Sequence, residues 1–198
     1  MMVEGMSPDE AANAARPALV LVGAPGAGKS TVGRRVAEQL GVPFVDTDLL
    51  IEASSAMSVS DIFVTLGEPE FRRREEEAVA EALRTQRGVV ALGGGAVLSA
   101  ATRSRLAQHR VVWLRVSMSD AATRVGMNTA RPLLLGNVRT TLSGLLNERT
   151  PLYDEVCSAV VDTSDRKIRE VIADVVALAI APADRVEHSQ AGVDTADV

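Results

Sequence analysis

Gly23-Ala24-Pro25-Gly26-Ala27-Gly28-Lys29-Ser30 decides the fold of this chain. The apolar run Ala18-Leu19-Val20-Leu21-Val22 comes before it. In the stretch that follows, Thr31 to Leu40, Val32, Val36, Ala37 and Leu40 recur at helical spacing. Strand, glycine-rich turn and helix form the context in which G-x-x-x-x-G-K-[ST] is a phosphate-binding loop rather than a chance turn. Glycines let backbone N–H groups converge on an anion without obstruction by Cβ atoms. The new helix adds the positive end of its dipole. Lys29 is expected to meet the β- and γ-phosphates, and the Ser30 hydroxyl to meet Mg²⁺. The expected ligand is a nucleoside triphosphate. The open question is what accepts its phosphate.

At 198 residues and 46% apolar content, the chain suits one domain with one core. No apolar run reaches the roughly 18 residues of a membrane span. Met1 to Arg16 lacks the basic segment and apolar block of a signal peptide. Cys157 is the only cysteine, which excludes an intrachain disulfide and fits a reducing cytoplasm. Its expected role is that of a small buried hydrophobe. The net charge of −5 argues against nucleic acid as a partner. Lys29 and Lys167 are the only lysines among 21 basic residues, so arginine is background here. Yet one of those two lysines lies in the phosphate loop.

Read in order, residues 1–16 are a disordered leader, residues 17–180 a single domain and residues 181–198 a disordered tail. Strands are expected at 18–22, 44–45, 89–92, 110–116 and 159–161. The first helix ends at Leu40, capped by Gly41. Further helices are expected over Leu49–Ala53 and from Ser58 to Leu66, with Asp61 completing an acidic capping box. Others run from Glu70 to about Gln86 and over Ser99–Gln108. Ser119-Asp120 caps one that ends near Val125. The last two cover Thr140–Arg149, closed by Pro151-Leu152-Tyr153, and Arg166–Ile180. The stretch of about residues 126–138 has no steady period and reads as a mobile lid. Short apolar strands alternating with helices make an α/β, three-layer αβα fold around a parallel sheet. Ligands of such sheets sit beyond the C-terminal strand ends. Gly23–Ser30, Asp46–Asp48, Gly93–Gly95 and the segment after Val116 all fall there.

A phosphate-loop enzyme needs an acid to hold metal with Ser30, often at the end of a neighbouring strand. The strand 89–92 ends in glycine, whereas the strand 44–45 ends in Asp46-Thr47-Asp48. One aspartate can serve Mg²⁺ and the other an acceptor hydroxyl; a polar turn capping the next helix is the plainer alternative. The run Glu70-Phe71-Arg72-Arg73-Arg74-Glu75-Glu76-Glu77 reads mostly as a solvated helix face. Arg72 and Glu75, however, share one face, and a pinned guanidinium grips a carboxylate in bidentate fashion. Gly93-Gly94-Gly95 is a tight turn or a place of close ligand approach. Arg131, in the expected lid, is placed to reach a transferring phosphate.

Together these stretches resemble the shikimate kinase family, in the nucleoside-monophosphate-kinase-like group of P-loop enzymes. The matching motifs run in order over about residues 18–165. They are Gly23–Thr31, Asp46-Thr47-Asp48, Asp61-Ile62-Phe63, Gly67-Glu68 with Phe71-Arg72 and Glu75, Leu92-Gly93-Gly94-Gly95-Ala96, Arg131-Pro132-Leu133-Leu134, and Arg149 before Pro151-Leu152-Tyr153. The resemblance implies a five-stranded parallel sheet of order 2-3-1-4-5. It implies transfer of phosphate from ATP to the 3-hydroxyl of shikimate, in the route to chorismate and the aromatic amino acids. By resemblance, Gly26, Ala27, Gly28, Lys29, Ser30 and Thr31 bind the nucleotide, with Arg124, Arg131 and Arg166. Ser30 and Asp46 hold one Mg²⁺. Lys29, Asp48 and Arg131 are the catalytic group, with Asp48 also binding the acceptor hydroxyls. Arg72 and Arg149 bind the shikimate carboxylate. Glu75, Gly93, Gly94 and Gly95 line the pocket, and Phe63, Phe71 and Pro132 form its apolar wall. A cytoplasmic monomer is expected, with shikimate and ATP as partners and neither nucleic acid nor membrane.

The competing enzyme reading is another small-metabolite kinase of this fold, gluconate kinase above all. It is not expected to combine Phe71-Arg72-x-x-Glu75 with Gly93–Gly95. The competing reading from another class is a nucleotide-binding regulatory module without catalysis. It predicts loss of Asp48 or the lid arginine, and both are present.

Overall fold

Leu19, Val20, Leu21 and Val22 are each at most 1% exposed. The strand they form lies in the middle of the sheet with helices over both faces, so every side chain is apolar. The structure, a computed structural model, describes residues 16–126 and 138–182. Its strands are β1 (Leu19–Val22), β2 (Phe44–Asp46), β3 (Val89–Ala91), β4 (Val111–Arg115) and β5 (Ala159–Asp162). All neighbours are parallel, in the order β2-β3-β1-β4-β5. That is the expected order.

The helices are α1 (Lys29–Leu40), α2 (Thr47–Ser55), α3 (Val59–Thr65), α4 (Glu68–Thr85), α5 (Ala100–Leu106), α6 (Met118–Gly126), α7 (Val138–Val156) and α8 (Ile168–Ile180). A single 3-10 turn, Ala96–Leu98, separates β3 from α5. Helix α1 packs tightly on the sheet: a Cβ on Gly33 would stand 2.6 Å from Phe44 Cε2 and 3.1 Å from Leu21 Cδ1. Gly41 ends α1 at φ 67°, and the Val42 N–H donates to Ala37 O at 3.0 Å. At the start of α3, Ser58 Oγ accepts from the Asp61 N–H and donates to Asp61 Oδ2, which realises the acidic capping box.

Some boundaries differ from expectation. Helix α4 begins at Glu68, two residues early, because Gly67 breaks the chain at φ 81° and Pro69 fits a first turn that needs no N–H. Helix α6 is capped by Ser117, whose hydroxyl accepts from the Asp120 N–H at 3.2 Å; Ser119 lies inside the helix. Helix α7 does not close at Pro151 but runs through it to Val156. Leu142, Arg149 and Tyr153 on its inner face are buried, and that packing outweighs the one backbone bond that proline removes. The leader and tail fall outside the described residues, except that Arg16 donates to Gln108 O and Ala181 and Pro182 follow α8.

The main core lies between the sheet and its helices. A second cluster of Ile51, Ile62 and Phe71, joined by Phe63, Val59 and Met57, holds α2, α3 and α4 together beyond the edge at β2. Cys157 is half-buried beside the main core, and burial and the nearby Asp154 push its thiol pKa up. Among the described residues no helix is long and apolar enough to cross a membrane.

Candidate active site

The turn from β1 into α1 is built for an anion. Gly26 and Gly28 stand at φ 83° and 87°, a region that side chains avoid. No side chain caps α1, and no acid occupies its first turn. The N-terminal N–H groups of α1 thus keep their pull on negative charge. Lys29 Nζ arches back over the loop and donates to Gly23 O and Ala24 O at 2.8 and 3.1 Å. Ser30 and Thr31 occupy the exposed first turn, and Ala27 is buried beneath it.

The end of β2 comes directly against this loop. Ser30 Oγ donates to Asp46 Oδ2 at 2.6 Å. The other oxygen, Oδ1, accepts the Asp48 N–H at 3.0 Å and caps α2. The helix-cap reading of Asp46 is therefore met by one oxygen, and the other faces Ser30. Among the described residues no three His, Cys, Asp or Glu side chains converge on a point. One carboxylate and one hydroxyl beside a phosphate site form a hard oxygen set. It suits Mg²⁺, which keeps waters and takes phosphate oxygens as further ligands.

Asp48 faces the next strand end, at Gly93. A Cβ on Gly93 would stand 2.5 Å from Glu75 Oε1 and 2.6 Å from Asp48 Oδ1. A Cβ on Gly95 would collide with the Arg72 guanidinium. At Gly93 and Gly95 charged side chains thus fill the space of the missing side chains, and any substitution there must displace them. At Gly94 the limit is softer, with Pro25 Cδ at 3.2 Å.

Arg72 is held from several sides. Its Nη1 donates to Glu75 Oε2 at 2.5 Å, and its Nε and Nη2 donate to Glu68 Oε1 at 3.2 and 3.0 Å. Its charge also lies 5.3 Å from the Phe71 ring centre and 5.8 Å from that of Phe63. Burial works against that charge, but Glu75 and Glu68 hold its pKa above the ordinary value. Burial pushes the Glu75 carboxyl up against the pull of Arg72, and Asp48 adds to the rise. The expected solvated face is also present: Arg73 pairs with Glu70 and Glu77, and Arg74 with Glu70.

Arg149 differs from Arg72. It is 5% exposed, and its Nη1 donates to Gly94 O at 3.2 Å. Its Nε is buried without a hydrogen-bond acceptor, and Glu148 Oε2 lies 3.8 Å from it. A buried guanidinium in this state favours an incoming anion.

Arg124 bridges the glycine-rich loop and the chain just beyond β5. It donates to Gly26 O at 3.3 Å, Thr163 O at 2.8 Å and Asp120 Oδ2 at 2.9 Å. Arg166 donates to Asp162 O at 3.2 Å and pairs with Asp174 at 2.8 Å, beyond the end of β5. Phe63 is partly exposed and Phe71 is 3% exposed; their ring centres are 4.5 Å apart. Phe71 thus backs the wall from within the second cluster. Arg131 and Pro132 lie outside the described residues, as does the interior of the expected lid; Gly126 ends α6 and Val138 starts α7.

Three participants escape a reading by spacing. Thr47, buried between the two aspartates, accepts the Gly93 N–H at 3.0 Å. Tyr153, one turn after Arg149, donates to Gly94 O at 2.6 Å. Glu68 takes the side edge of Arg72. Helical spacing from Arg149 is the one signal that points to Tyr153; the partner of Thr47 is 46 residues away.

This fold and loop define a P-loop phosphotransferase. The family model described as shikimate kinase matches residues 25–179. The shikimate kinase of Thermobifida fusca (strain YX) is 57% identical over 155 residues, 78% of this chain and 90% of that protein. The chain belongs to the shikimate kinase family. The shikimate kinase of Salinispora tropica (strain ATCC BAA-916 / DSM 44818 / JCM 13857 / NBRC 105044 / CNB-440) is 53% identical over 162 residues, 82% of this chain and 97% of that protein. Among solved structures, the shikimate kinase from Acinetobacter baumannii in complex with shikimate is similar with a TM-score of 0.79. It is 36% identical and covers 86% of this chain and 96% of that one. A gluconokinase from Sinorhizobium meliloti 1021 has a TM-score of 0.51 at 20% identity, covering 83% of this chain and 92% of that one, and shares the fold.

Proposed function

We propose that this protein transfers the γ-phosphoryl group of ATP to the 3-hydroxyl of shikimate, giving ADP and 3-phosphoshikimate on the route to the aromatic amino acids. The buried Arg149 carries this reading from the geometry. Beside it stand a second arginine, an aspartate and a backbone of glycines, next to a phosphate loop. That set suits an acceptor with a carboxylate at one end and hydroxyls at the other. Family membership supports the same substrate.

Arg149 and Arg72 bind the carboxylate, with Glu75 and Glu68 steadying Arg72. Asp48 accepts a hydrogen bond from the attacking hydroxyl and takes its proton as transfer proceeds. Phe63, Phe71 and Pro132 wall the ring. Lys29 exchanges the Gly23 and Ala24 carbonyls for phosphate oxygens, a stronger, charge-assisted pairing. Gly26 to Thr31 receive the phosphates, Arg124 and Arg166 border the adenine side, and Arg131 meets the transferring group. Mg²⁺ would be held by Ser30 and Asp46, where it neutralises phosphate charge. The catalytic domain is residues 17–180, a span the match over 25–179 supports. It acts as a cytoplasmic monomer, without nucleic acid or membrane.

ADP release measured over a panel of hydroxylated acids tests this. Turnover on shikimate with none on gluconate is expected. Equal or faster turnover on gluconate overturns it.

A further inference from the structure

We propose that Thr47 and Tyr153 are positioning residues. Thr47 holds the Leu92–Gly93 peptide where the loop begins and Tyr153 holds the Gly94–Gly95 peptide beyond it, so that the loop between keeps two backbone N–H groups available to the acceptor. This rests on the reading of residues 93–95 as the floor of the acceptor pocket.

On one side, the buried Thr47 hydroxyl accepts the Gly93 N–H at 3.0 Å. Thr47 lies between Asp46 and Asp48, so this bond ties the metal and acceptor aspartates to the glycine loop. On the other side, the Tyr153 hydroxyl donates to Gly94 O at 2.6 Å and Arg149 donates to the same oxygen at 3.2 Å. Tyr153 is itself fixed, 1% exposed and stacked on Trp113 with ring centres 5.8 Å apart. Gly93 O is turned inward and accepts the Ala96 N–H at 3.1 Å.

Planar trans peptides fix the rest. No peptide bond here is cis. With Gly93 O turned into the loop, the Gly94 N–H points out of it. With Gly94 O held against α7, the Gly95 N–H points away from α7. Among the described residues neither N–H meets an acceptor. Glycine leaves such planes free to rotate, so without outside anchors the two donors would not be held.

The test compares Tyr153→Phe, which keeps the ring and removes the hydroxyl, with Thr47→Val and Thr47→Ser. Tyr153→Phe and Thr47→Val are each expected to raise the shikimate KM about 5- to 10-fold, as one lost hydrogen bond implies. The ATP KM stays as in the parent, Thr47→Ser restores shikimate binding, and the double variant falls short of the product of the two effects. In ligand-free protein, hydrogen–deuterium exchange of the Gly93 N–H, the one of the three glycine N–H groups that is hydrogen-bonded in the parent, is expected to speed up in both. Parent-like exchange there, or shikimate and ATP KM values that rise together, overturns the proposal. If the parent fails to turn over shikimate, the functional reading falls, and exchange in the ligand-free variants still decides the positioning role.

Discussion

Ser30 Oγ and Asp46 Oδ2 stand 2.6 Å apart, joining the phosphate loop to the end of the neighbouring β2–β3 side of the sheet. Because Asp46 also caps α2 through its other oxygen, the cap and the proposed metal role separate by substitution. Asp46→Asn keeps a good helix cap and lowers the pull on a cation. It is expected to raise the Mg²⁺ concentration for half-maximal activity with little change in melting temperature. Asp46→Ala is expected to lose about 1 kcal/mol of stability as well. Metal titration and thermal melting check both; a normal Mg²⁺ requirement in the asparagine variant removes Asp46 from the metal site.

Asp48→Asn is expected to abolish most turnover while ATP binding survives. An amide keeps the shape but accepts no proton at neutral pH. Single-turnover kinetics beside nucleotide binding separate the effects. If Asp46→Asn and Asp48→Asn give the same profile, the division of labour between them is wrong.

Gly95→Ala places a methyl where the Arg72 guanidinium lies. The arginine must move, so shikimate binding is expected to weaken with ATP affinity unchanged. Arg72→Lys is expected to fail likewise, because an ammonium cannot reproduce the planar fork. Calorimetric titration with each ligand reads this, and normal shikimate affinity in the alanine variant would contradict it.

Arg149 has a buried Nε without an acceptor, whereas Arg72 is paired with two glutamates. Burying a charge that is only partly offset, here by the Gly94 carbonyl and the nearby Glu75, costs stability. Arg149→Met is therefore expected to leave the ligand-free protein as stable as the parent or more so. It should lose shikimate affinity by about 10- to 150-fold, the equivalent of a charged hydrogen bond worth ~1.5–3 kcal/mol. Thermal melts with and without shikimate test both halves. A marked fall in the ligand-free melting temperature would mean that the arginine stabilises the fold.

Tyr153 is the only tyrosine, so its ionisation is directly visible in near-ultraviolet absorbance. Burial raises its pKa from 10.0 to about 12. A raised folded-state value means that its stabilising contribution is complete below pH 10 and is lost as pH climbs toward about 12. Native protein is expected to show little tyrosinate near pH 10.5, whereas denatured protein shows it in plenty. A native midpoint near 10 would show that water reaches the hydroxyl.

Much of this molecule is legible in local pattern. Apolar runs of two to five residues ending in glycine or aspartate mark four of the five strands and place the site beyond their ends. Arg72 and Glu75 meet because three residues bring side chains onto one helix face. What escapes is tertiary. Glu68 stands in the Gly67-Glu68 motif, but reading the helix from Glu70 leaves it ahead of the first turn and so hides its grip on Arg72. Pro151 signals an end to α7, yet buried side chains on both sides of it carry the helix on. Thr47 looks like a spacer between two acids until the fold brings Gly93 to its hydroxyl.

Gly93 and Gly95 carry a consequence for inhibition. Their missing side chains are replaced in space by the carboxylates and the guanidinium that we propose meet the acceptor. An inhibitor resting on this stretch of backbone therefore meets a surface with few routes to resistance. A side chain large enough to push it away must first push away Asp48, Glu75 or Arg72, and under the proposed function the mutant that escapes the drug weakens its hold on its own substrate.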